Sequence, residues 1–294
     1  MHIFEPISLH RQDEYLHLLT ESGITASDYS FINLWGWAEE YGLQWAWGEN
    51  VVWIKQTRPE KAYWGPVGPL KAIRWEEEIG LLSESAPSFI RVPQEVVFAW
   101  APTFNGRIEA LEARGHWDYL YAAGDLVMLS GNKYHKKKNL LNQFTKKYAY
   151  RYQELNHFLI GKTKQMQERW CVWRDCESSE TLSAENRVID RVLGEWERLH
   201  NIMGGALIVN NDLVAFCIAE AFTPSTLIIH FEKGFTEYSG IYQAMNQMFL
   251  AEHREFPFVN REQDLCEEGL RKAKLSYHPV DFVRKYQVAI KNPL

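Results

Sequence analysis

The stretch GGALIVNNDLVAFCIAEAFTPSTLIIHFEKG, residues 204–234, decides the fold of this chain. It consists of three apolar runs, and an Asn-Asn-Asp turn joins the first two. Short apolar runs between polar turns predict three antiparallel strands in succession. The residues that follow, SGIYQAMNQMFLAEH at 239–253, have apolar side chains at helical spacing, so a helix should follow the strands.

Helices and strands alternate on both sides of this meander. Upstream, the chain begins with helical segments and then two strands around a Gly-Glu-Asn turn, at 43–56. Downstream, FPFVNREQD (256–264) is predicted as a strand, EEGLRKAKLSY (267–277) as a helix and FVRKYQVAI (282–290) as the last strand. Interleaved helices and antiparallel hairpins predict an α+β fold in which a mixed sheet flanked by helices is formed twice.

The two predicted halves differ in composition. No low-complexity linker separates them, so we place a tight boundary near residue 116, with domains at 1–116 and 117–294. Seven of the 12 Trp residues lie between residues 35 and 75, in the first domain. Because buried rings contribute large contact areas, this enrichment favours an aromatic core, with an apolar ligand groove as the alternative.

The overall composition is that of a globular protein, with 46% apolar and 24% charged residues. No apolar run approaches the about 20 residues needed to span a bilayer. The first residues lack the basic and then apolar pattern of a signal peptide, so we expect a cytoplasmic protein. The four cysteines match neither a CxxC pair nor a common zinc signature. We therefore predict no metal site and no disulfide, and place Cys217 in the core.

A strongly basic stretch stands out in this acidic chain, whose formal net charge is −6. KYHKKKNLLNQFTKKYAYR, residues 133–151, contains seven of the 32 Lys and Arg residues and no acid. A basic island on an acidic body favours a localised polyanionic partner. The alternative is a solvated basic helix that balances nearby acids.

Two blocks of this sequence resemble a known family. KYHKKKNLLNQF (133–144) and VNREQDLCEEGLRKAKLSYHP (259–279) are similar to the paired signatures KxxHKKRNxxNxF and NxExDxGxxGLRxxKxxxxP. These signatures belong to the family built on the C-terminal domain of bacterial phosphatidylglycerol lysyltransferase. The order of helices and strands in the second half also resembles the GNAT acyltransferase fold. Cys266 stands where the family usually has Gly, so a positive φ or a close approach there would be altered in this chain.

The resemblance implies a fold and a class of reaction. Known members have two tandem GNAT-like domains, and the full-length lysyltransferases move an amino acid from aminoacyl-tRNA onto a lipid headgroup. The chain is thus predicted to be an aminoacyl or acyl transferase whose partners are a phosphate-bearing donor, tRNA or coenzyme A, and an acceptor such as an anionic lipid headgroup. An ordinary acyl-CoA-dependent N-acyltransferase and a non-catalytic ligand-binding protein are the alternatives.

The first block supplies candidate substrate-binding residues. A row of ammonium groups suits phosphates, and on a helix Lys133, Lys136 and Lys137 would share one face. Asn139 and Asn142 would share another, with amide donors and acceptors. The predicted substrate-binding residues of this block are Lys133, His135, Lys136, Lys137, Lys138, Asn139 and Asn142.

The second block is the more informative one. Asn260, Glu262 and Asp264 alternate along the predicted strand and would face the same way. Three polar groups on one face are unfavourable unless they meet a ligand or protein partners. We predict that Glu262 and Asp264 hold the α-ammonium of an amino acid, while Arg271 and Lys274 on the next helix bind a phosphate. A structural network that joins Asp264 to Arg271 is the alternative.

Three side chains are candidate catalytic groups: Glu220, His230 and Asp264. Glu220 ends an apolar strand and can serve as a base or bind an amine, unless it is a solvated acid at the sheet edge. His230 lies at the strand end where GNAT enzymes bind the acyl donor, and the alternative is a half-buried structural histidine.

Residues 238–240 lie where coenzyme-A-dependent GNAT enzymes have a Gly-rich turn. That turn presents N–H groups at a helix N-terminus to the pyrophosphate, so Tyr238, Ser239 and Gly240 are the candidate cofactor-binding residues. Only Gly240 of the expected glycines is present. A simple acyl-CoA is therefore the less expected donor, and aminoacyl-tRNA and a coenzyme A thioester are the two candidate donor substrates.

Overall fold

The computed structural model describes residues 1–82 and 87–291, and the chain divides into two compact units. The first unit comprises Met1–Asp118, Gln263–Glu268 and the chain from Phe282 onward. The second comprises Tyr119–Glu262 and Gly269–Asp281. Each unit contains a mixed sheet with flanking helices, which confirms the predicted α+β architecture. The first unit is discontinuous, whereas the sequence analysis assigned all of 117–294 to one domain.

The regular elements lie as follows in chain order. The strands are β1 (Glu5–Pro6), β2 (Gln44–Trp47), β3 (Val52–Gln56), β4 (Ala62–Tyr63), β5 (Ser88–Pro93), β6 (Ile108–Glu112), β7 (Asp118–Ala122), β8 (Tyr150–Glu154), β9 (Ile202–Val209), β10 (Asp212–Thr223), β11 (Thr226–Gly234), β12 (Phe258–Asn260), β13 (Asp281–Val283) and β14 (Lys285–Ile290). The α-helices are α1 (Gln12–Ser22), α2 (Phe31–Gly36), α3 (Ala38–Tyr41), α4 (Trp75–Gly80), α5 (Gln94–Trp100), α6 (Ala123–Met128), α7 (His135–Lys147), α8 (His157–Arg174), α9 (Glu180–Gly194), α10 (Ile241–Glu252) and α11 (Glu268–Leu275). Within the described residues, none of these helices combines the length and the apolar character needed to cross a membrane.

The sheet of the first unit has the strand order β1-β2-β3-β4-β5-β14-β6. Only β4 and β5 are parallel among the neighbouring pairs. The last strand of the chain, β14, lies between β5 and β6 and pairs with both. This placement explains the discontinuous unit, because the sheet formed by the N-terminal residues is completed by a strand from residues 285–290.

The core of the first unit is aromatic, as the tryptophan content predicted. Trp45, Trp53 and Trp100 are fully buried. Trp53 and Trp100 each pack against Phe89 of β5, with ring centroids 6.1 Å and 4.9 Å apart. These rings fill the space between the sheet and its helices.

The sheet of the second unit has the order β13-β7-β12-β11-β10-β9-β8. The predicted meander forms β9, β10 and β11, which pair antiparallel. The pair β11 and β12 is parallel and short, with residues 226–228 opposite 258–260. Both sheets therefore share one plan, in which an antiparallel series is followed by a parallel pair and then an antiparallel return.

The basic stretch forms helix α7, as its spacing of apolar residues predicts. Phe144 is fully buried, and most other side chains of the helix are exposed. Helix α7 packs against the N-terminus of α10, where a side-chain carbon on Gly240 would lie 2.1 Å from the Leu140 carbonyl oxygen. Gly240 also has φ +85°, so this contact requires glycine on two grounds.

The cysteine prediction was partly wrong. Cys171 and Cys176 form a disulfide, with Cα atoms 5.0 Å apart. Helix α8 ends at Arg174, and Asp175 has φ +53°, so the chain reverses and brings Cys176 back to the last turn of the helix. The spacing of five residues did not reveal this reversal. Cys217 lies in the core as predicted, and burial raises the pKa of its thiol well above the ordinary value.

A buried ionic cluster fixes β14 in the first unit. The Lys285 ammonium is fully buried and donates to Asp28, and to Asp118 at 2.6 Å. Asp28 also pairs with Arg91, and Asp118 accepts from the backbone N–H of Ser27 at 2.8 Å. Burial opposes the charge of Lys285, but Asp118 and Asp28 raise the pKa of this ammonium above its ordinary value. Lys285 therefore stays charged and stabilises two buried carboxylates.

We expect Lys285→Met to lower the free energy of unfolding by about 3–5 kcal/mol, because Asp28 and Asp118 would lose their shared cation while buried. Lys291→Met is the matched control. Lys291 pairs with Glu109 at 3.1 Å, but both side chains are largely exposed, so its loss should change stability by about 0–1 kcal/mol. Urea unfolding of the two variants measures the difference, and equal effects would contradict the role of the buried cluster.

Candidate functional site

The candidate site lies where β11 and β12 diverge in the second unit. The two strands pair as far as Ile228 and Asn260. Beyond them, β11 continues beside β10, whereas the chain after β12 remains bonded to β7, since the Arg261 N–H donates to the Tyr119 carbonyl at 3.0 Å. A gap thus opens between β11 and residues 261–262, and side chains from both sides cross it.

The first of these crossings is centred on His230. Its Nδ1 lies 2.9 Å from Glu262 Oε1, and its Nε2 lies 3.2 Å from Glu220 Oε2. A β-bulge in the β10–β11 pairing, between residues 218 and 219 of β10, leaves His230 as an extra residue on β11. The imidazole therefore lies between two carboxylates from different elements.

The protonation of His230 follows from these contacts. Burial alone would lower the pKa of the imidazole, but the hydrogen bonds to Glu220 and Glu262 raise it to about 9. At neutral pH the ring is therefore an imidazolium that donates from both nitrogens. A general base needs an unprotonated nitrogen, which an imidazolium does not offer, so the catalytic role predicted for His230 requires loss of a ring proton.

The two carboxylates around His230 differ in their solvent exposure. The Glu220 side chain is only 2% exposed, whereas that of Glu262 is 19% exposed. The burial of Glu220 shows that the alternative of a solvated acid at the sheet edge is wrong. Glu262 is the carboxylate of this pair that is accessible to solvent.

A second crossing was missed by sequence reasoning. The Arg261 guanidinium pairs with Glu232 at 3.1 Å, and both side chains are largely buried. Burial raises the pKa of Glu232, and the charge of Arg261 opposes that shift. His230 and Glu232 are two residues apart on a predicted strand. Residues at this spacing share a face of the sheet, so the sequence could have indicated that Glu232 lies beside the candidate site.

The predicted alternation of Asn260, Glu262 and Asp264 on a strand was wrong. Strand β12 ends at Asn260, and Glu262 has φ +57°, so the chain turns there. The Asn260 side chain is fully buried, and its Oδ1 accepts from the Glu262 N–H at 2.7 Å. This local hydrogen bond competes with extension of the strand and sets the direction of Glu262.

Asp264 belongs to the first unit and shapes a turn there. Its Oδ1 accepts from the Cys266 N–H at 2.9 Å, and its Oδ2 lies 3.4 Å from Arg114. Cys266 has φ +64°, the left-handed conformation that favours glycine, as at the family position it replaces. A side-chain carbon on Gly115 would lie 2.3 Å from the Cys266 sulfur, so this cysteine requires a glycine opposite it.

Helix α11 carries the two basic residues predicted to bind phosphate. The Lys274 ammonium donates to the carbonyl of Arg261, and to that of Glu262 at 3.2 Å. It therefore holds the turn that carries Glu262, a role that spacing along a helix could not show. Arg271 is half-buried on the same helix.

The predicted residues of α7 fall into separate environments. Lys133 pairs with Asp125 at 3.1 Å, and His135 contacts Asn139 at 3.0 Å. Lys136, Lys138 and Asn142 are exposed. Lys137 is half-buried instead, with its ammonium 4.1 Å from the ring centroid of Tyr277. The arginine of the second crossing, Arg261, lies 5.1 Å from the same ring, so the structure brings part of the first sequence block beside the second.

The residues predicted to bind a cofactor lie at the N-terminus of α10, in contact with α7. The Ser239 hydroxyl donates to Gln143 at 3.1 Å, and its N–H donates to the Tyr148 hydroxyl at 3.3 Å. The rings of Tyr238 and Tyr148 pack at 5.1 Å. Gly240 also packs closely against the Leu140 carbonyl. The side of the α10 N-terminus that faces α7 is therefore covered by protein contacts.

Comparisons with known proteins agree with this architecture. Residues 20–289 match the family described as phosphatidylglycerol lysyltransferase, C-terminal. A crystal structure of a conserved protein of unknown function from Bacteroides thetaiotaomicron is 30% identical, with a TM-score of 0.89 over 99% of this chain and 100% of the other. An uncharacterised protein of Mycoplasmoides gallisepticum is 23% identical over 175 residues, which cover 59% of this chain and 56% of that relative. The match thus spans little more than half the length of that curated relative.

Two solved structures at low identity show the fold. The C-terminal domain of a putative lysylphosphatidylglycerol synthetase from Agrobacterium fabrum has a TM-score of 0.64 at 12% identity, covering 95% of this chain and 92% of its own. L-PGS from Bacillus licheniformis has a TM-score of 0.63 at 12% identity, covering 98% and 93%. The predicted α+β fold with two mixed sheets flanked by helices is confirmed.

The pKa of His230 predicts a pH dependence of stability. Because it is raised from 6.5 to about 9 on folding, the His230 contribution is fully present below about pH 6.5 and is lost as the pH rises through about 9. This contribution amounts to about 3 kcal/mol at most. We expect the wild-type protein to lose stability over this window relative to His230→Gln, measured by urea unfolding at several pH values. A constant difference between the two proteins would contradict a protonated His230.

The contact between Gly115 and Cys266 predicts a coupled pair. Gly115→Ala should cost about 1–3 kcal/mol through overpacking against the Cys266 sulfur. In a Cys266→Gly background most of that cost should disappear, because the sulfur is gone. Gly124→Ala, where no atom lies within 4 Å of the added carbon, is the control. A double-mutant cycle measures the coupling, and additive effects would rule the contact out.

Proposed function

This chain belongs to the family of the phosphatidylglycerol lysyltransferase C-terminal domain, and from that membership and the charged gap in the second unit we propose that it is an aminoacyl transferase. The donor in this proposal is an aminoacyl-tRNA, and the acceptor is an amine or hydroxyl such as that of a lipid headgroup. The observation that carries the proposal is the Glu220–His230–Glu262 chain at the point where β11 and β12 part.

The contacts of His230 support a role for Glu262 in holding the substrate. Its partly exposed carboxylate would bind the ammonium of the aminoacyl group, while His230 and the buried Glu220 hold that carboxylate in one orientation. Preorganisation of this kind reduces the loss of side-chain freedom on binding. His230 and Glu220 are therefore positioning residues in this proposal, and Glu262 is the residue that touches the substrate.

The divergence of the strands supports a place for the reacting carbonyl. Within the described residues, no part of β12 pairs with β11 beyond Ile228, so that edge can offer backbone N–H groups to a developing oxyanion. In the proposed reaction the acceptor oxygen or nitrogen forms a bond to the ester carbonyl carbon. The bond from that carbon to the ribose oxygen then breaks, and the acceptor proton leaves with the ribose hydroxyl.

The packing of α10 favours tRNA over coenzyme A as the donor. A pyrophosphate bound at a helix N-terminus needs free backbone N–H groups and room for the ligand. At this terminus the Ser239 N–H already donates to Tyr148, and Gly240 lies against the Leu140 carbonyl. The exposed Lys136 and Lys138 of α7 offer a phosphate backbone an accessible positive surface instead.

Replacement of Glu262 tests the proposal. We expect the full-length protein to transfer a labelled amino acid from aminoacyl-tRNA to vesicles that contain phosphatidylglycerol. Glu262→Gln should lower kcat/KM by about 10- to 100-fold, because the ammonium loses a charge-assisted hydrogen bond while Gln can still accept from His230. Incorporation of label into lipid, across a panel of charged tRNAs, is the measurement.

Glu154→Gln is the matched control, because Glu154 is exposed on the edge strand β8 and should leave transfer unchanged. Turnover with acetyl-CoA but with no aminoacyl-tRNA would replace the proposed donor. Turnover with neither donor would favour the non-catalytic alternative.

A further inference from the structure

Lys137 differs from the other lysines of α7 in its surroundings. It is half-buried, and its ammonium has no carboxylate within 4.0 Å among the residues that the structure describes. By contrast, Lys133 on the preceding turn pairs with Asp125, and the buried Lys233 pairs with Glu185 at 2.6 Å. A partly desolvated cation without a counterion is unfavourable unless a ligand supplies the negative charge.

A second cation contacts the same tyrosine ring. The Arg261 guanidinium and the Lys137 ammonium both lie over the ring of Tyr277, at 5.1 Å and 4.1 Å from its centroid. Burial lowers the pKa of Lys137, and the charge of Arg261 lowers it further. The ring is fixed in turn, since its hydroxyl contacts the Gln243 amide at 3.1 Å.

The tyrosine ring does not explain the pair by itself. A cation–π contact leaves the charge of each cation in place. Glu232 pairs with Arg261 but not with Lys137, so the positive charge of Lys137 is not balanced within this cluster. An arginine fork beside a lysine point charge is a combination that suits the oxygens of a phosphate.

We propose that Lys137, Arg261 and Tyr277 form a subsite for one phosphate group of a substrate. The inference rests on the proposed function for the identity of that substrate, and it names the chemistry of the ligand as a phosphate monoester or diester. The phosphate can belong to a lipid headgroup, to the end of a tRNA or to coenzyme A. Lys136 and Lys138 lie outside this subsite and attract polyanions only through their exposed charge.

The test uses the full-length protein and four probes: inorganic phosphate, glycerophosphoglycerol, a single-stranded CCA trinucleotide with a 5′-phosphate, and coenzyme A. At least one probe should bind in a calorimetric titration, and the tightest one identifies the source of the phosphate. Lys137→Gln should weaken that probe by about tenfold or more, because one charge-assisted hydrogen bond is lost. Lys137→Arg should bind within about threefold of the wild type, because the charge is kept.

Lys147→Gln is the matched control. Lys147 lies on the same helix, and its ammonium also lies over a tyrosine ring, at 5.1 Å from the centroid of Tyr148, but it is exposed. Its replacement should weaken the probe by less than about twofold, since an exposed charge acts only through screened, long-range attraction. Equal weakening by Lys137→Gln and Lys147→Gln, or no binding of any probe to the wild type, would overturn the subsite.

Failure of the subsite and failure of the proposed function give different results. If transfer from aminoacyl-tRNA is observed but Lys137→Gln binds every probe like the wild type, the subsite is wrong and the transferase remains. If Lys137→Gln loses phosphate binding selectively and no donor is turned over, the subsite remains and the transferase is wrong.

Discussion

Strands β11 and β12 share three residue pairs before they separate, and the arrangement of the second unit's charged groups follows from that separation. Where two parallel strands part, the backbone N–H and C=O groups of one strand no longer have hydrogen-bond partners on the other, and a gap is left between them. Here the gap is crossed by an imidazolium between two carboxylates and by an arginine–glutamate pair, all largely buried. Buried charges persist only when they are paired, so each crossing holds the two sides at a set separation.

The same separation gives the site its chemical asymmetry. On the β11 side, His230 is the extra residue of the β-bulge, and its ring lies between the carboxylates of Glu220 and Glu262. On the other side, Asn260 turns the backbone so that Glu262 meets that imidazole and keeps part of its carboxylate exposed. Lys137 and Glu262 are each partly exposed, so one positive and one negative group of the second unit reach the surface.

The periodic parts of the sequence predicted their structure well. The meander at 204–234 and the helix at 135–147 form where alternation and helical spacing place them, because burial of their apolar faces dominates their local energetics. Residues 261–264 were predicted wrongly as a continuing strand. Their path depends on the Asn260 side-chain hydrogen bond and on positive φ at Glu262, Leu265 and Cys266, which no periodicity encodes.

The site itself was predicted by residue type more than by role. Glu262 and His230 do meet, but the charge state of His230 depends on Glu220, a partner ten residues away on another strand. Lys274 was expected to face a ligand, yet its ammonium reaches backbone carbonyls that only the folded turn brings near. Roles of this kind depend on long-range contacts, which a single sequence does not reveal.

The position of β14 has a consequence for how the chain matures during protein synthesis. The sheet of the first unit lacks the strand between β5 and β6 until residues 285–290 leave the ribosome. The aspartates that Lys285 neutralises are made more than 160 residues earlier, so in the nascent first unit Asp118 lacks its cation and Asp28 has only Arg91. Until then its unpaired strand edges are exposed to other chains, a state in which chaperone protection matters most.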